Sequence, residues 1–282
     1  MTDASHARHA CGLASAGLTP AGAVPVTDRG LAYGDGLFET IAVVNGTPKL
    51  LGAHLERLQR GLARLRIDGV SMPAVASALR EAAVAAGEQG ALKFMVTRGD
   101  GPRGYAPPLT PSPRWWLQSF PWTCPQQPAT GARVSVSGVR LGEQPLLAGL
   151  KHLNRLEQVL ARAEYPPDRV DEALMLDTAG RVVCATAANV FVVREGKVLT
   201  PGLARCGVAG VVRGALLAAG ASGALPWPVA EEDLTLEHLY AADEIFLTSA
   251  LRGVWPVASI DGHAVPAGPV AQACFRFWSA LP

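Results

Sequence analysis

Two hydrophobic spacings take turns along this chain. In LFETIAVVNGTPKLL, residues 37–51, apolar and β-branched side chains flank Asn45-Gly46. That pattern predicts two strands joined by a tight turn needing positive φ. In LGAHLERLQRGLARLRI, residues 51–67, Leu55, Leu58, Leu62 and Leu65 recur at helical spacing while Arg57, Arg60 and Arg64 mark another face, which predicts an amphipathic helix with a solvated arginine stripe. ALKFMVTRGD (91–100) and RWWLQSF (114–120) read as strands, and PLTPSPR and PWTCPQQPATGAR as Pro-rich connections. Further on come a strand at RVSVSGVRL, a helix after Lys151, strands at DEALMLDT, GRVVCAT and NVFVVREGKVLT, and a helix over 208–219. Strands near 244–248 and 255–259 and a last helix carrying Phe275 and Trp278 complete the series.

The elements interleave without strict βαβ alternation, so the expected fold class is α+β with two domains rather than a doubly wound parallel sheet. The expected boundaries are a loosely ordered leader at 1–23, a smaller N-terminal α+β domain at 24–121 and a linker at 122–133. A larger C-terminal domain at 134–282 is expected to carry Lys151. The chain is long enough, at 282 residues with 49% hydrophobic content, to bury two cores.

Net charge is only +1, which argues against nucleic acid or an anionic membrane as the partner and favours a small molecule. No run approaches the roughly 18 apolar residues of a membrane span. The N-terminus lacks the basic start and apolar core of an export signal, so the expected location is the cytoplasm. The 5 cysteines are scattered and odd in number; reduced thiols and no metal site are expected.

Against that background the lysines stand out. Of 25 basic residues only Lys49, Lys93, Lys151 and Lys197 are lysine, so a lysine is informative where arginine serves elsewhere. Lys151 precedes a helix whose Leu153, Leu156, Val159 and Leu160 are expected to face inward. Desolvation there would favour the neutral amine and carbonyl chemistry. Spacing alone leaves a second reading open, a lysine snorkelling from a helix start. GDGPRG, residues 99–104, satisfies G-x-G-x-x-G after a strand, but YAPPLTPSP follows it. Without a helix to face a pyrophosphate, that loop is not expected to bind a dinucleotide.

Six ordered blocks then resemble a known family: DRGLAYGDGLFETI, HLERL, LKHLNRLEQVLARAE, ANVFVV, TPGLARCGVAGVVR and EIFLTSALRGVWPV. Together they are similar to the fold type IV pyridoxal-phosphate-dependent enzymes, the group of the branched-chain and D-amino acid aminotransferases. The aminodeoxychorismate lyases are the most similar branch, with GLKHLNRLEQ the most discriminating block. The resemblance implies pyridoxal 5'-phosphate as cofactor, held covalently by Lys151, with Arg57 on its phosphate. It further implies a phosphate cradle of amides around Gly207, Val208 and Ala209, supplemented by Thr248 and Ser249. A Gly207 turn opening a helix fits that role physically.

Tyr33 and Phe38 match pocket positions of the family. Arg98, Arg103 and Arg155 are candidates for a substrate carboxylate. A homodimer is implied as well. The implied reaction converts 4-amino-4-deoxychorismate to 4-aminobenzoate and pyruvate. A D-amino acid or branched-chain aminotransferase, or a cofactor-binding protein of impaired activity, are the alternatives. The third arises because Cys184 stands where relatives carry the glutamate that pairs with the pyridine nitrogen. Either the ring works less protonated, or a carboxylate such as Asp177 or Glu172 substitutes, or activity is lost.

Overall fold

The computed structural model describes residues 23–125 and 131–282 and the backbone of His9–Ala10. The leader reading at 1–23 and the middle of the expected linker therefore fall largely outside the described residues. The described chain forms two compact units. One takes the residues up to Cys124 together with Leu150–Asn154 and Pro282; the other takes Pro125–Gly149 and Arg155–Leu281.

The first unit runs β1 (His9–Ala10), α1 (Arg29–Tyr33), β2 (Gly36–Val44), β3 (Thr47–Pro48), α2 (Leu51–Leu65), α3 (Met72–Ala86), β4 (Gln89–Thr97) and β5 (Arg114–Phe120). Its antiparallel sheet has the order β1-β5-β4-β2-β3. Asn45 (φ 51°) and Gly46 (φ 68°) make the expected turn between β2 and β3. On one side α2 turns Leu58 and Leu62 onto Ile41, Phe94 and Leu117, the apolar stripe that its spacing predicts. The helix α3 was not among the expected elements. Its signals are Ser71, whose hydroxyl accepts from the Ala74 amide, and a proline in the first turn; alanine-rich spacing blurs the apolar face.

The second unit contains β6 (Ala132–Leu141), α4 (Leu156–Ala163), β7 (Glu172–Asp177), β8 (Val182–Ala185), β9 (Asn189–Arg194) and β10 (Lys197–Pro201). It continues with α5 (Val211–Ser222), β11 (Val229–Glu232), α6 (Leu236–Tyr240), β12 (Glu244–Ser249), β13 (Gly253–Ile260), β14 (His263–Ala264) and α7 (Pro269–Ala280). The sheet order is β11-β10-β9-β12-β13-β6-β7-β8, with β14 beside β13. Mixed parallel and antiparallel pairing bears out the α+β expectation. Phe191 of β9 stacks on Phe246 of β12 with centroids 5.0 Å apart, and Val190, Val192, Ile245 and Leu247 alternate into one core. The buried carboxylate of Glu244 accepts from the Val270 and Ala271 amides at 2.9 and 2.7 Å, so the start of α7 carries its own anion.

Two expectations are corrected here. Lys151 groups with the first unit, not with the C-terminal domain, because its segment pairs with β2. The residues expected to seat it do not face a core within the chain: Leu156, Val159 and Leu160 of α4 are 76%, 60% and 59% exposed, and Leu153 precedes the helix.

Candidate active site

In the first unit, residues 150–154 lie along the edge of β2 at the end that β3 leaves uncovered. The Phe38 amide donates to the Lys151 carbonyl at 2.9 Å, and the Leu153 amide donates to the Gly36 carbonyl at 3.0 Å. Asn154 Nδ2 donates to the Gly34 carbonyl at 3.1 Å, while Leu150 is buried in the core. Backbone pairing and one buried leucine thus fix the segment, and the half-buried Lys151 places its Nζ 4.2 Å from the centroid of the Phe38 ring. Lys93, opposite Thr40 on β4, brings a second ammonium 5.8 Å from the same ring. Lys93 was not singled out from the sequence, although the scarcity of lysine that marks Lys151 marks it equally.

Behind Phe38 the next residue of β2 is the buried Glu39. Its carboxylate accepts from Arg57 Nε at 2.8 Å and from Arg57 Nη2, and His54 Nδ1 lies 2.6 Å from Oε2. Despite the cost of burial, the Arg57 charge and the donors from Arg57 and His54 hold the Glu39 carboxyl down at about 2. Burial lowers the His54 pKa, and the charges of Arg57 and Lys151 act the same way against the pull of Glu39. His54 is therefore the neutral tautomer that donates Nδ1–H. Arg57 sits in this buried cluster and not in the solvated stripe.

Other predicted residues separate from Lys151 by their bonding. Arg98 donates to Asp35 through Nε and Nη2 and to the Arg66 and Leu65 carbonyls at 2.7 and 2.8 Å. Buried and committed to these partners, it pins the end of α2 to β4, which corrects its assignment to a substrate carboxylate. Arg103 is exposed on the 101–113 loop, where no helix follows GDGPRG. Tyr33 ends α1 with its ring 5.4 Å from Tyr105. Unforeseen was the buried Arg29, which donates to the carbonyls of Gly104, Tyr105 and Ala106 at 3.2, 2.9 and 3.2 Å and to Asp35 at 3.0 Å.

In the second unit the geometry favours an anion. Gly207, at φ 88°, could not carry a side chain, since a Cβ would meet Leu203 and Val183 at 2.8 and 2.9 Å. The residues after it do not open a helix at once: Val208 bridges Gly149, the Ala209 amide donates to the Gly149 carbonyl at 3.1 Å, and α5 starts at Val211. This pairing takes up the Ala209 amide of the expected cradle. The first turn of α5 has no side-chain cap, so its amides are suited to meet an anion.

Asn189 anchors this turn by donating to the Val208 carbonyl at 2.9 Å, and any side chain at Gly210 would collide with it. Opposite Asn189 across the strand pair is Thr248, whose buried Oγ1 has no hydrogen-bond partner among the described residues. An unpaired buried hydroxyl is costly; beside an uncapped helix start it fits a phosphate. Ser249 instead closes a turn, its Oγ accepting from the Arg252 amide at 3.2 Å.

Cys184 lies on β8, fully buried in a cluster with Cys206, Met175 and Leu203. Burial pushes its thiol up to about 12, the neighbouring Cys206 adds to the rise, and Arg155 opposes it. Arg155, at the start of α4, is itself lowered by burial. Of the candidate carboxylate substitutes, Asp177 accepts from Arg181 and from the Ala179 and Arg181 amides, and Glu172 accepts from Thr186. Cys184 is a neutral thiol.

The amino-transferase class IV model matches residues 36–260. The chain belongs to this family. Across 240 residues, 84% of the chain and 88% of the relative, this class IV protein is 39% identical to the aminodeoxychorismate lyase of Vibrio harveyi. It is also 31% identical over 249 residues to a D-alanine aminotransferase of Bacillus licheniformis, covering 87% and 86% of the two chains. Among solved structures, the 4-amino-4-deoxychorismate lyase of Pseudomonas aeruginosa superposes with a TM-score of 0.85 at 46% identity, covering 92% of this chain and 95% of that one.

Proposed function

We propose that this class IV protein is a pyridoxal-phosphate-dependent lyase that converts 4-amino-4-deoxychorismate to 4-aminobenzoate and pyruvate, the aminobenzoate serving folate synthesis. The observation that carries the reading is the scarce lysine held by backbone pairing against Phe38, in a chain whose similarity to two lyases of that name spans most of both sequences. No helix among the described residues is long and apolar enough to cross a membrane; we place the enzyme in the cytoplasm, as a homodimer.

When bound, pyridoxal phosphate supplies an aldehyde for an amine and a ring that draws electrons from the substrate carbon. In our reading Lys151 anchors the aldehyde through Nζ. Lys151 Nζ would also take the proton from the amine-bearing carbon of the substrate; loss of that proton and of the enolpyruvyl group, released as pyruvate, gives the aromatic product. Arg57 would meet a phosphate oxygen in the first unit; in the second, the α5 amides and Thr248 Oγ1 are suited to an anion. Phe38 presents an apolar face, and Lys93 and Arg103 offer cations to substrate carboxylates. Neutral Cys184 supplies no counter-charge to a protonated pyridine nitrogen, and an elimination driven by aromatisation tolerates that loss better than a full transamination.

The test supplies the purified enzyme with chorismate, glutamine and the upstream synthase. Release of 4-aminobenzoate is expected. Conversion of D-alanine or branched-chain amino acids to keto acids with no aminobenzoate would replace the lyase by an aminotransferase, and neither product would leave a cofactor-binding protein without this chemistry.

A further inference from the structure

We propose that Glu39, braced by His54, is a positioning residue that sets the guanidinium of Arg57 for the cofactor's phosphate. The inference rests on the reading of Arg57 as a phosphate ligand and adds two residues to it. Arg57 is on α2 and Glu39 on β2, so the ion pair crosses from helix to sheet beneath Phe38. Glu39 grips one edge of the guanidinium, Nε and Nη2, with both carboxylate oxygens. A planar fork held along one edge has its opposite edge fixed in direction.

His54 lies one helical turn before Arg57 on the same face of α2, and its Nδ1 holds Oε2 at 2.6 Å. That contact stops the carboxylate from rotating away. All three side chains are at least nine-tenths buried, which makes the arrangement rigid. Burial also demands that the arginine charge be met before any ligand arrives. Glu39 remains a carboxylate and His54 stays neutral at physiological pH, so the cluster carries no excess charge and contributes direction rather than raw attraction.

The experiment compares the affinities of the full-length, cofactor-free chain for pyridoxal phosphate and for pyridoxal, which lacks the phosphate, by fluorescence quenching. Exchanging Glu39→Gln puts an amide donor against an arginine donor. We expect affinity for pyridoxal phosphate to fall about tenfold, the order of one charged hydrogen bond, with affinity for pyridoxal unchanged. His54→Gln should give a smaller loss in the same direction, about threefold, and it carries the test if Glu39→Gln does not fold.

Arg57→Gln separates the two layers of the argument. If that variant keeps the full preference for the phosphorylated form, the assignment of Arg57 itself is wrong. If it loses the preference while the Glu39 and His54 variants retain it, or lose both affinities equally, the positioning role is overturned and the cluster is only structural.

Discussion

His54 and Glu39 make the stability of this protein sensitive to acid in a direction that can be worked out residue by residue. The folded chain holds His54 below its usual 6.5, so as pH falls through that value the unfolded chain takes up a proton that the folded one refuses. Stability drops with falling pH, by at most about 1.4 kcal/mol per unit for one proton. Glu39, at about 2 against an ordinary 4.5, extends the loss through the window from 4.5 down to about 2. Urea unfolding at pH 7 and pH 5 should show wild type weakening and His54→Gln much flatter; equal slopes would contradict the buried neutral imidazole. Cys184 gives a second prediction: Cys184→Glu should raise transamination of amino acids relative to elimination and shift the cofactor's absorbance, and no change in either would remove Cys184 from the site. Lys151 was legible in the sequence because lysine is rare here. The bonding of Arg98 was not, since spacing cannot distinguish an exposed loop arginine from one spending its donors on Asp35 and two carbonyls.

Elements followed their apolar patterns wherever one face was sharply drawn, as in α2 and the β2–β3 hairpin. They escaped notice in α3, where alanine dilutes the contrast, and in the short α1 and α6. The start of α5 moved from 208 to 211 because Val208 and Ala209 first pair with Gly149, a long-range contact without a local signature. In the loop after β4, one remote side chain, Arg29, gathers three carbonyls on its guanidinium. Removing it by Arg29→Met should loosen residues 104–106 and speed tryptic cleavage after the exposed Arg103 about tenfold. An unchanged cleavage rate would show that the loop is held by other means. Asp35, left with Arg98 alone, should keep the α2–β4 junction intact.

At the scale of the whole molecule, six ordered blocks and the absence of βαβ alternation carried the fold class, while the assignment of Lys151 to a unit depended on a strand-like pairing that no periodicity reveals. The inward-facing reading of α4 failed for an instructive reason: its apolar positions are exposed on the single chain, and the homodimer we propose would offer them a partner. Leu160→Glu should convert dimer to monomer in sedimentation, and a wild-type monomer would contradict the proposed assembly. The account as a whole depends on a covalent amine. Borohydride treatment of the coloured protein, digestion and mass spectrometry should find the reduced phosphopyridoxyl group on the peptide containing Lys151. Its appearance on Lys49, Lys93 or Lys197, or on no lysine at all, would contradict the account.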